Sequence, residues 1–381
     1  PRFLNTKTPD LDLLLRDLLV DIFGHEDFRP NQLDAVKAGL FGRDSIVLLP
    51  TGSGKSLIYQ MVGLLQPGIT LVVDPIVSLI DDQVRSLKEI GIERTFGVHS
   101  GLSLSTSEMD EFQTSVSRGQ AFFVFISPER LQTKRFRETL DSLTKSTYIN
   151  SAVLDEAHCI SEWGHDFRTA YLNVAKNLRT LCGTEDFQPT LLALTGTASP
   201  AVLRDIQREI QSESSNLEII RPETHDRPNL HYLIKVAAPG QEYSELDEIL
   251  TSVLPGLNHV AASELFEITG KTTKSGIIFT TPVGKYFKGA VGLRSHVDAL
   301  LKRVTETDSS SSMVEMYSGK APKDFFGDWD ATKRESARKF IANEIPALVA
   351  TKSFGMGIDK PNIRWTIHFG YPTSLEAFAQ E

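Results

Sequence analysis

The 381 residues carry 40 Lys and Arg against 49 Asp and Glu, a formal charge of −9, which counts against a simple polycationic nucleic-acid coat. A local basic groove stays open, because binding follows the local field rather than the net charge. Two cysteines, Cys159 and Cys182, are too few for a disulfide framework and lack zinc spacing, so a reducing, intracellular compartment is expected: nucleus in a eukaryote, cytoplasm or nucleoid in a bacterium.

No run of 18 apolar residues and no signal-peptide pattern occurs, so no membrane partner is expected. The length suits two domains at roughly 100–200 residues each. The chain begins at Pro1 without Met and ends at Glu381 within a helical pattern, which reads as a fragment or a trimmed chain.

Residues 11–23, LDLLLRDLLVDIF, have the apolar spacing of an amphipathic helix. FGHEDFRPNQ (23–32) follows as a loop before a helix. In it, Gln32 offers both a donor and an acceptor, matching the N6/N7 edge of adenine, and His25 and Arg29 could stack on the ring. Without further context it is simply a helix-start loop.

DSIVLLP (44–50) reads as a strand running into LPTGSGKS (49–56), which opens a helix. Gly52 and Gly54, which alternate with Thr51 and Ser53, let successive backbone N–H groups turn toward an anion. Lys55 supplies a cation for the β/γ-phosphates and Ser56 a hydroxyl for Mg²⁺, so ATP and Mg²⁺ are the expected cofactors. Strands are then expected at ITLVVDP (69–75), FFVFISP (122–128), SAVLDEA (151–157) and TLLALTG (190–196), with helices between them such as SLIDDQVRSLKEIG (78–91). Nearly continuous apolar strands alternating with helices predict a parallel sheet covered on both faces.

VLDEAH (153–158) ends one of these strands. Asp155 is a metal-side ligand and Glu156 a base for an attacking water, with His158 beside them either in the catalytic set or as an ordinary core histidine. SEWGHDFR (161–168) crowds two rings, a histidine and an arginine into a Gly-containing loop, where rings are placed to touch something. LTGTAS (194–199) brings two hydroxyls, Thr195 and Thr197, to a strand end, and could equally cap the next helix.

The alternation breaks at RPETHDRPNLHYLI (221–234), which marks a linker between domains 1–225 and 226–381. A second series of strands follows at SGIIFTT (275–281), MVEMYSG (313–319), PALVATK (346–352) and IRWTIHF (363–369), with a helix at SHVDALLKRV (295–304) and a Ser-rich loop at TETDSSSS (305–312).

In this order the motifs resemble superfamily 2 helicases, and the RecQ family in particular. FRPNQLDAV resembles motif 0, TGSGKS motif I, DPIVSLIDDQV motif Ia, SPERL motif Ib, DEAH motif II, LTGTAS motif III, SGIIFTT motif IV and ATKSFGMGIDKPNIR motif V. SEWGHDFR differs at one position from the family's aromatic-rich loop. The resemblance covers about residues 23–381. It implies two tandem RecA-like parallel-sheet α/β domains with the nucleotide site in the cleft between them, and an ATP-dependent 3′→5′ motor on single-stranded DNA that separates tailed or forked duplexes. It further implies that Trp163, His165, Phe167 and Arg168 couple DNA to ATP, and that Gly357 and Asp359 belong to the nucleotide side of motif V. Ser78, with Thr195 and Thr197, is expected on the DNA side.

Motif VI is represented only by Gln380 and Glu381, so the arginine finger, typically worth ~10³–10⁵ in rate, is missing from this stretch, and a poor ATPase is expected of it alone. Nothing matches the family's C-terminal accessory modules, and residues 282–312 are longer than the family's usual helix there. Two alternatives remain: a translocase that remodels without unwinding, and a DNA-binding motor-fold subunit of a larger complex.

Overall fold

The computed structural model describes residues 11–50, 52–99, 112, 114–116, 118, 120–145, 147–162, 169–171, 173–196, 199–211, 216–222, 229–280, 289–307, 311–354, 360–372 and 378. The chain divides into two compact units, Pro1–Asp226 and Arg227–Glu381.

In the first unit the apolar runs become strands β1 (Asp44–Leu48), β2 (Ile69–Val73), β3 (Thr95–Val98), β4 (Phe123–Ile126), β5 (Ile149–Leu154), β6 (Thr190–Thr195) and β7 (Leu217–Ile220). They form one sheet in the order β3-β4-β2-β5-β6-β1-β7, parallel at every pairing. Strands β1, β2, β4, β5 and β6 are buried along their whole length, because helices cover both faces and leave no side for polar residues. One apolar cluster gathers Ile46, Leu71, Val124, Ala152 and Leu191 on one face. The other face packs Val47, Val72, Phe123, Val153 and Leu192 against α1 (Leu11–Leu18), α2 (Gln32–Leu40) and α3 (Lys55–Leu65). The next helix is α4 (Val77–Glu89).

The N-terminal helical pattern does not run as one uniform helix. After Leu18 it widens into a π-turn over Leu19–Phe23 and stops at Gly24 (φ 68°), whose N–H bonds Val20 O at 3.0 Å. Two strands, β3 and β7, were not expected from the sequence. They are the outermost strands of the sheet, and each has only four residues.

The second unit holds β8 (Ser275–Phe279), β9 (Val314–Tyr317), β10 (Ala347–Ala350) and β11 (Ile363–His368), all parallel, in the order β11-β8-β10-β9. The helix predicted at 295–304 starts earlier and spans Ala290–Val304. The start of β9 is tied back to that helix by Asp298, whose carboxylate accepts from the N–H groups of Met313 (2.7 Å) and Val314 (3.1 Å) and from Ser312 Oγ (3.0 Å). Part of the long 282–312 stretch lies outside the described residues.

Because every pairing is parallel, each sheet brings all its strands' C-terminal ends to one rim, the usual place for ligands in open α/β sheets. Among the described residues no helix is long and apolar enough to cross a membrane.

Gly276 of β8 faces Trp365 of β11 across the ladder, and the ring fills the space a side chain would take: a Cβ there would lie 1.9 Å from the ring. Gly276→Ala is expected to lower the stability of the second unit by about 1–3 kcal/mol through overpacking, seen as a shifted urea midpoint in tryptophan fluorescence.

Candidate functional site

The rim of the first sheet reads, strand by strand, as a row of candidate residues. The loop after β1 carries Gly52–Ser56, β6 ends on Thr195, β5 runs into Asp155–His158, and β2 runs into Asp74 and on to α4. Strand order thus separates Lys55 from Asp155 by only one intervening strand, although the two are far apart in sequence.

Gly52 (φ 77°) and Gly54 (φ 75°) adopt a left-handed backbone that L side chains rarely take, and Gly54 is the N-cap of α3. Lys55 is therefore the first residue of a helix whose free N–H groups and dipole favour an anion. Ser56 Oγ, next on that helix, accepts from Gln83 Nε2 at 3.1 Å.

Motif 0 braces this loop. Gln32 is only 2% exposed. Its Oε1 accepts from Arg29 N at 2.8 Å, and its Nε2 donates to Ser53 O at 2.7 Å and Gly54 O at 3.0 Å. Arg29 Nη1 also donates to Gly52 O. His25 is exposed. In this state the amide expected to read adenine is engaged with the phosphate loop instead.

At the end of β5, Asp155 is buried, and its Oδ1 accepts from Glu156 N at 3.0 Å. Burial, reinforced by the neighbouring Glu156 charge and only partly opposed by Lys55, raises the Asp155 carboxyl to about 6. Glu156 (φ 48°) turns the chain left-handed. Burial pushes its carboxyl up, but the hydrogen bond from His158 and the Lys55 charge outweigh that and hold it below the ordinary carboxylate range. His158 Nδ1 lies 3.2 Å from Glu156 Oε2 and 3.1 Å from Thr195 Oγ1, joining motif II to motif III. His158 is 3% exposed and Thr195 0%, so this contact is buried. Ser78 is exposed in the first turn of α4.

Three neighbours escaped the sequence reading. Asp74, 1% exposed, ends the strand beside β5; its N–H bonds Ile126 O, and its Oδ1 accepts from Ile76 N at 2.8 Å. Burial first, then the Asp155 charge, raise its carboxyl well above the ordinary range. Tyr59, fully buried, donates to Gln83 Oε1 at 3.3 Å, and burial followed by the Asp155 charge raises its phenol. Gln83 also accepts from Gln60 Nε2 at 3.1 Å, so it ties α4 to α3. The available signals were the acid at a strand end, the i+4 spacing of Tyr59 from Lys55, and the glutamine within DDQV.

Thr51, Trp163, His165, Phe167, Arg168, Thr197, Gly357 and Asp359 lie outside the described residues.

The oxygen donors Ser56 and Asp155 suit Mg²⁺, a hard cation that usually takes one or two protein ligands beside substrate phosphates. Among the described residues no three acids, histidines or cysteines converge to hold a metal by themselves.

Comparison with known proteins adds the lineage. The DEAD/DEAH box helicase model matches residues 29–206, and the helicase conserved C-terminal domain matches 326–381. The ATP-dependent DNA helicase RecQ of Pasteurella multocida is 31% identical over 368 residues, covering 96% of this chain and 49% of that protein. The probable ATP-dependent DNA helicase RecS of Bacillus subtilis is 33% identical over 370 residues, covering 96% of this chain and 63% of the relative. The chain thus spans about half to two thirds of these relatives' length. Among solved structures, the helicase MrfA bound to DNA and AMPPNP matches with a TM-score of 0.68 at 18% identity, covering 96% of this chain and 47% of that one. Mycobacterium smegmatis Lhr bound to ssDNA and AMP-PNP matches at 0.63 and 17%, covering 96% and 45%. At these identities the structures speak for the fold alone.

The raised Asp155 carboxyl gives a signed expectation. Its folded value of about 6 exceeds an ordinary 3.8, so the folded metal-free chain binds the proton more tightly than the unfolded chain. The resulting penalty is full above pH 6 and fades as pH falls toward 4. Without metal, Asp155→Asn is expected to raise unfolding free energy at pH 8 by up to ~3 kcal/mol, with the gain shrinking below pH 6, in urea titrations at several pH values.

Proposed function

This chain belongs to the RecQ family of superfamily 2 DNA helicases, and from that membership we propose that it forms the helicase core of an ATP-driven 3′→5′ motor. The motor moves on single-stranded DNA and unwinds tailed or forked duplexes in DNA repair, recombination or genome defence. The observation that carries the reading is the meeting, on one sheet rim, of a helix N-terminus bearing Lys55 and Ser56 with the oppositely tuned acids Asp155 and Glu156.

In this reading the N–H groups around Gly52–Ser56 and the Lys55 ammonium hold the β- and γ-phosphates of ATP. Ser56 and Asp155 hold Mg²⁺, which when bound neutralises charge on those phosphates. Glu156 stays ionised at neutral pH because His158 and Lys55 favour its charged form. It orients a water for in-line attack on the γ-phosphorus and accepts a proton from it as the bond to the β–γ bridging oxygen breaks. Two neighbouring acids pushed in opposite directions are a recurring basis for dividing such roles. His158 holds the Glu156 carboxylate and hands its orientation to Thr195 through Nδ1. Gln32 and Arg29 change partners from the phosphate loop to adenine when nucleotide arrives. The loop of Trp163, His165, Phe167 and Arg168 carries the DNA signal to this site, and Gly357 and Asp359 serve the nucleotide from motif V.

Lys55→Ala is expected to cut ATP hydrolysis by at least ~100-fold while leaving affinity for single-stranded DNA unchanged, read by phosphate release and fluorescence anisotropy. Trp163→Ala is expected to lower DNA-stimulated turnover and spare the basal rate. A full-length protein whose ATPase does not respond to single-stranded DNA, and which fails to displace a strand with a 3′ tail, would overturn the reading.

A further inference from the structure

The second unit carries two large rings placed almost entirely in water, Phe326 at 95% and Tyr371 at 94% exposure. Single exposed apolar side chains are common and need no explanation. These two differ in how they are held and where they stand.

Phe326 lies in the segment between β9 and the helix Trp329–Ile341. That segment is pinned at each side of the ring. Phe325 packs edge-on against Trp329, with centroids 5.0 Å apart at 75°. Trp329 Nε1 donates to Ser318 O at 3.0 Å, and Ser318 Oγ donates to Lys320 O at 2.7 Å. Phe325 N closes a turn on Pro322 O at 3.0 Å, and Asp328 caps the helix by accepting from Ala331 N at 3.0 Å. One ring is thus turned inward to brace the loop, and the adjacent ring is turned out.

Gly327 follows with φ 133°, and Gly370, just before Tyr371, has φ 130°. Both values lie where L side chains rarely go, so each ring sits beside a backbone bend that only glycine takes easily.

Their positions agree as well. Phe326 follows β9 and Tyr371 follows β11, and these strands are the two edges of the parallel four-stranded sheet. Both rings therefore belong to the C-terminal rim, one at each end, with three strand spacings of about 4.8 Å, or ~14 Å, between the strands that lead to them. Beside Phe326, Lys320 and Lys323 are exposed and have no acidic partner among the described residues, while Asp324 is the neighbouring acid.

We propose that Phe326 and Tyr371 are base-stacking posts for single-stranded DNA on the rim of the second unit, with Lys320 and Lys323 holding phosphates beside Phe326. The proposal rests on the DNA-motor reading above and adds to it contact residues on the second unit. Exposed aromatics with exposed cations nearby in the chain are what sequence-tolerant single-strand binding requires, because every base has a π-face while the cations follow the backbone.

The test uses the full chain and two strands of equal length, one oligothymidine and one abasic, with affinity read by anisotropy. Phe326→Ala and Tyr371→Ala each lose about fivefold or more on oligothymidine and nothing on the abasic strand, while Phe326→Trp and Tyr371→Phe retain affinity. Lys320→Ala with Lys323→Ala weakens both strands alike and flattens the salt dependence, by about 0.7 in log–log slope for each phosphate no longer neutralised. Unchanged thermal unfolding of the alanine variants excludes a folding defect. Equal affinity of wild type and alanine variants for oligothymidine overturns the proposal alone. Equal losses on both strands also overturn it, because the rings would then act without bases. A wild-type chain that binds neither strand overturns both this proposal and the DNA-motor reading.

Discussion

The rim of the first sheet is governed by an imbalance of buried charge. Asp74, Asp155 and Glu156 end or follow two adjacent strands in a site where the nearby cation is Lys55. Three neighbouring carboxylates in a buried site resist being ionised together, and two of them, Asp74 and Asp155, are pushed toward their neutral forms. The surrounding groups are arranged to manage that cost. His158 donates to Glu156, Ile76 N–H donates to Asp74, and Glu156 N–H donates to Asp155. The arrangement leaves a site short of positive charge, which suits the proposed binding of phosphates together with a cation.

The same constraint explains why the phosphate loop needs bracing. A loop with two left-handed glycines is floppy by composition, yet it must keep its N–H groups convergent. Gln32 and Arg29 take three of its carbonyls, those of Gly52, Ser53 and Gly54, and the Ser53 N–H closes a turn on Pro50 O. Gln83 does the corresponding work from α4, gripping Ser56 with its amide nitrogen and Tyr59 and Gln60 with its oxygen. Motifs that look separate along the chain are thus one hydrogen-bonded assembly around Lys55.

Much of this was legible in the sequence, for reasons that also mark the limit. The central strands show as nearly continuous apolar runs because they are buried on both faces. β7 was missed because three of its four residues are only partly covered, so Leu217–Ile220 shows no continuous apolar run. β3 was missed similarly, with Phe96 and Gly97 only partly buried at the opposite edge. At the site, Lys55, Ser56, Asp155 and Glu156 stand at fixed offsets inside short motifs, and spacing alone reveals them. Asp74 and Gln83 do not, because their importance arises from strand order and from which face α4 turns to α3. Gln32 is the intermediate case: its residue type suggests a base reader, and the fold adds hydrogen bonds to Ser53 and Gly54 that spacing does not reveal.

Strand parallelism also reconciles an acidic chain with the proposed polyanionic partner. Each rim gathers helix N-termini, whose dipoles and free N–H groups favour anions without adding a charged side chain. α3 and α4 both begin there, and Ser78 is exposed in the first turn of α4. The acids that make the net charge negative are placed differently: those at the rim are buried beneath these helix ends, and many others are paired on outer surfaces, as Glu335 and Glu344 are with Arg338. A formal charge of −9 therefore says little about the rim, where anions meet oriented backbone rather than the average surface. Grip through dipoles, hydroxyls and rings loses less to salt than grip through many lysines, because fewer counterions are displaced. It also suits the proposed motor, which must release each phosphate it holds.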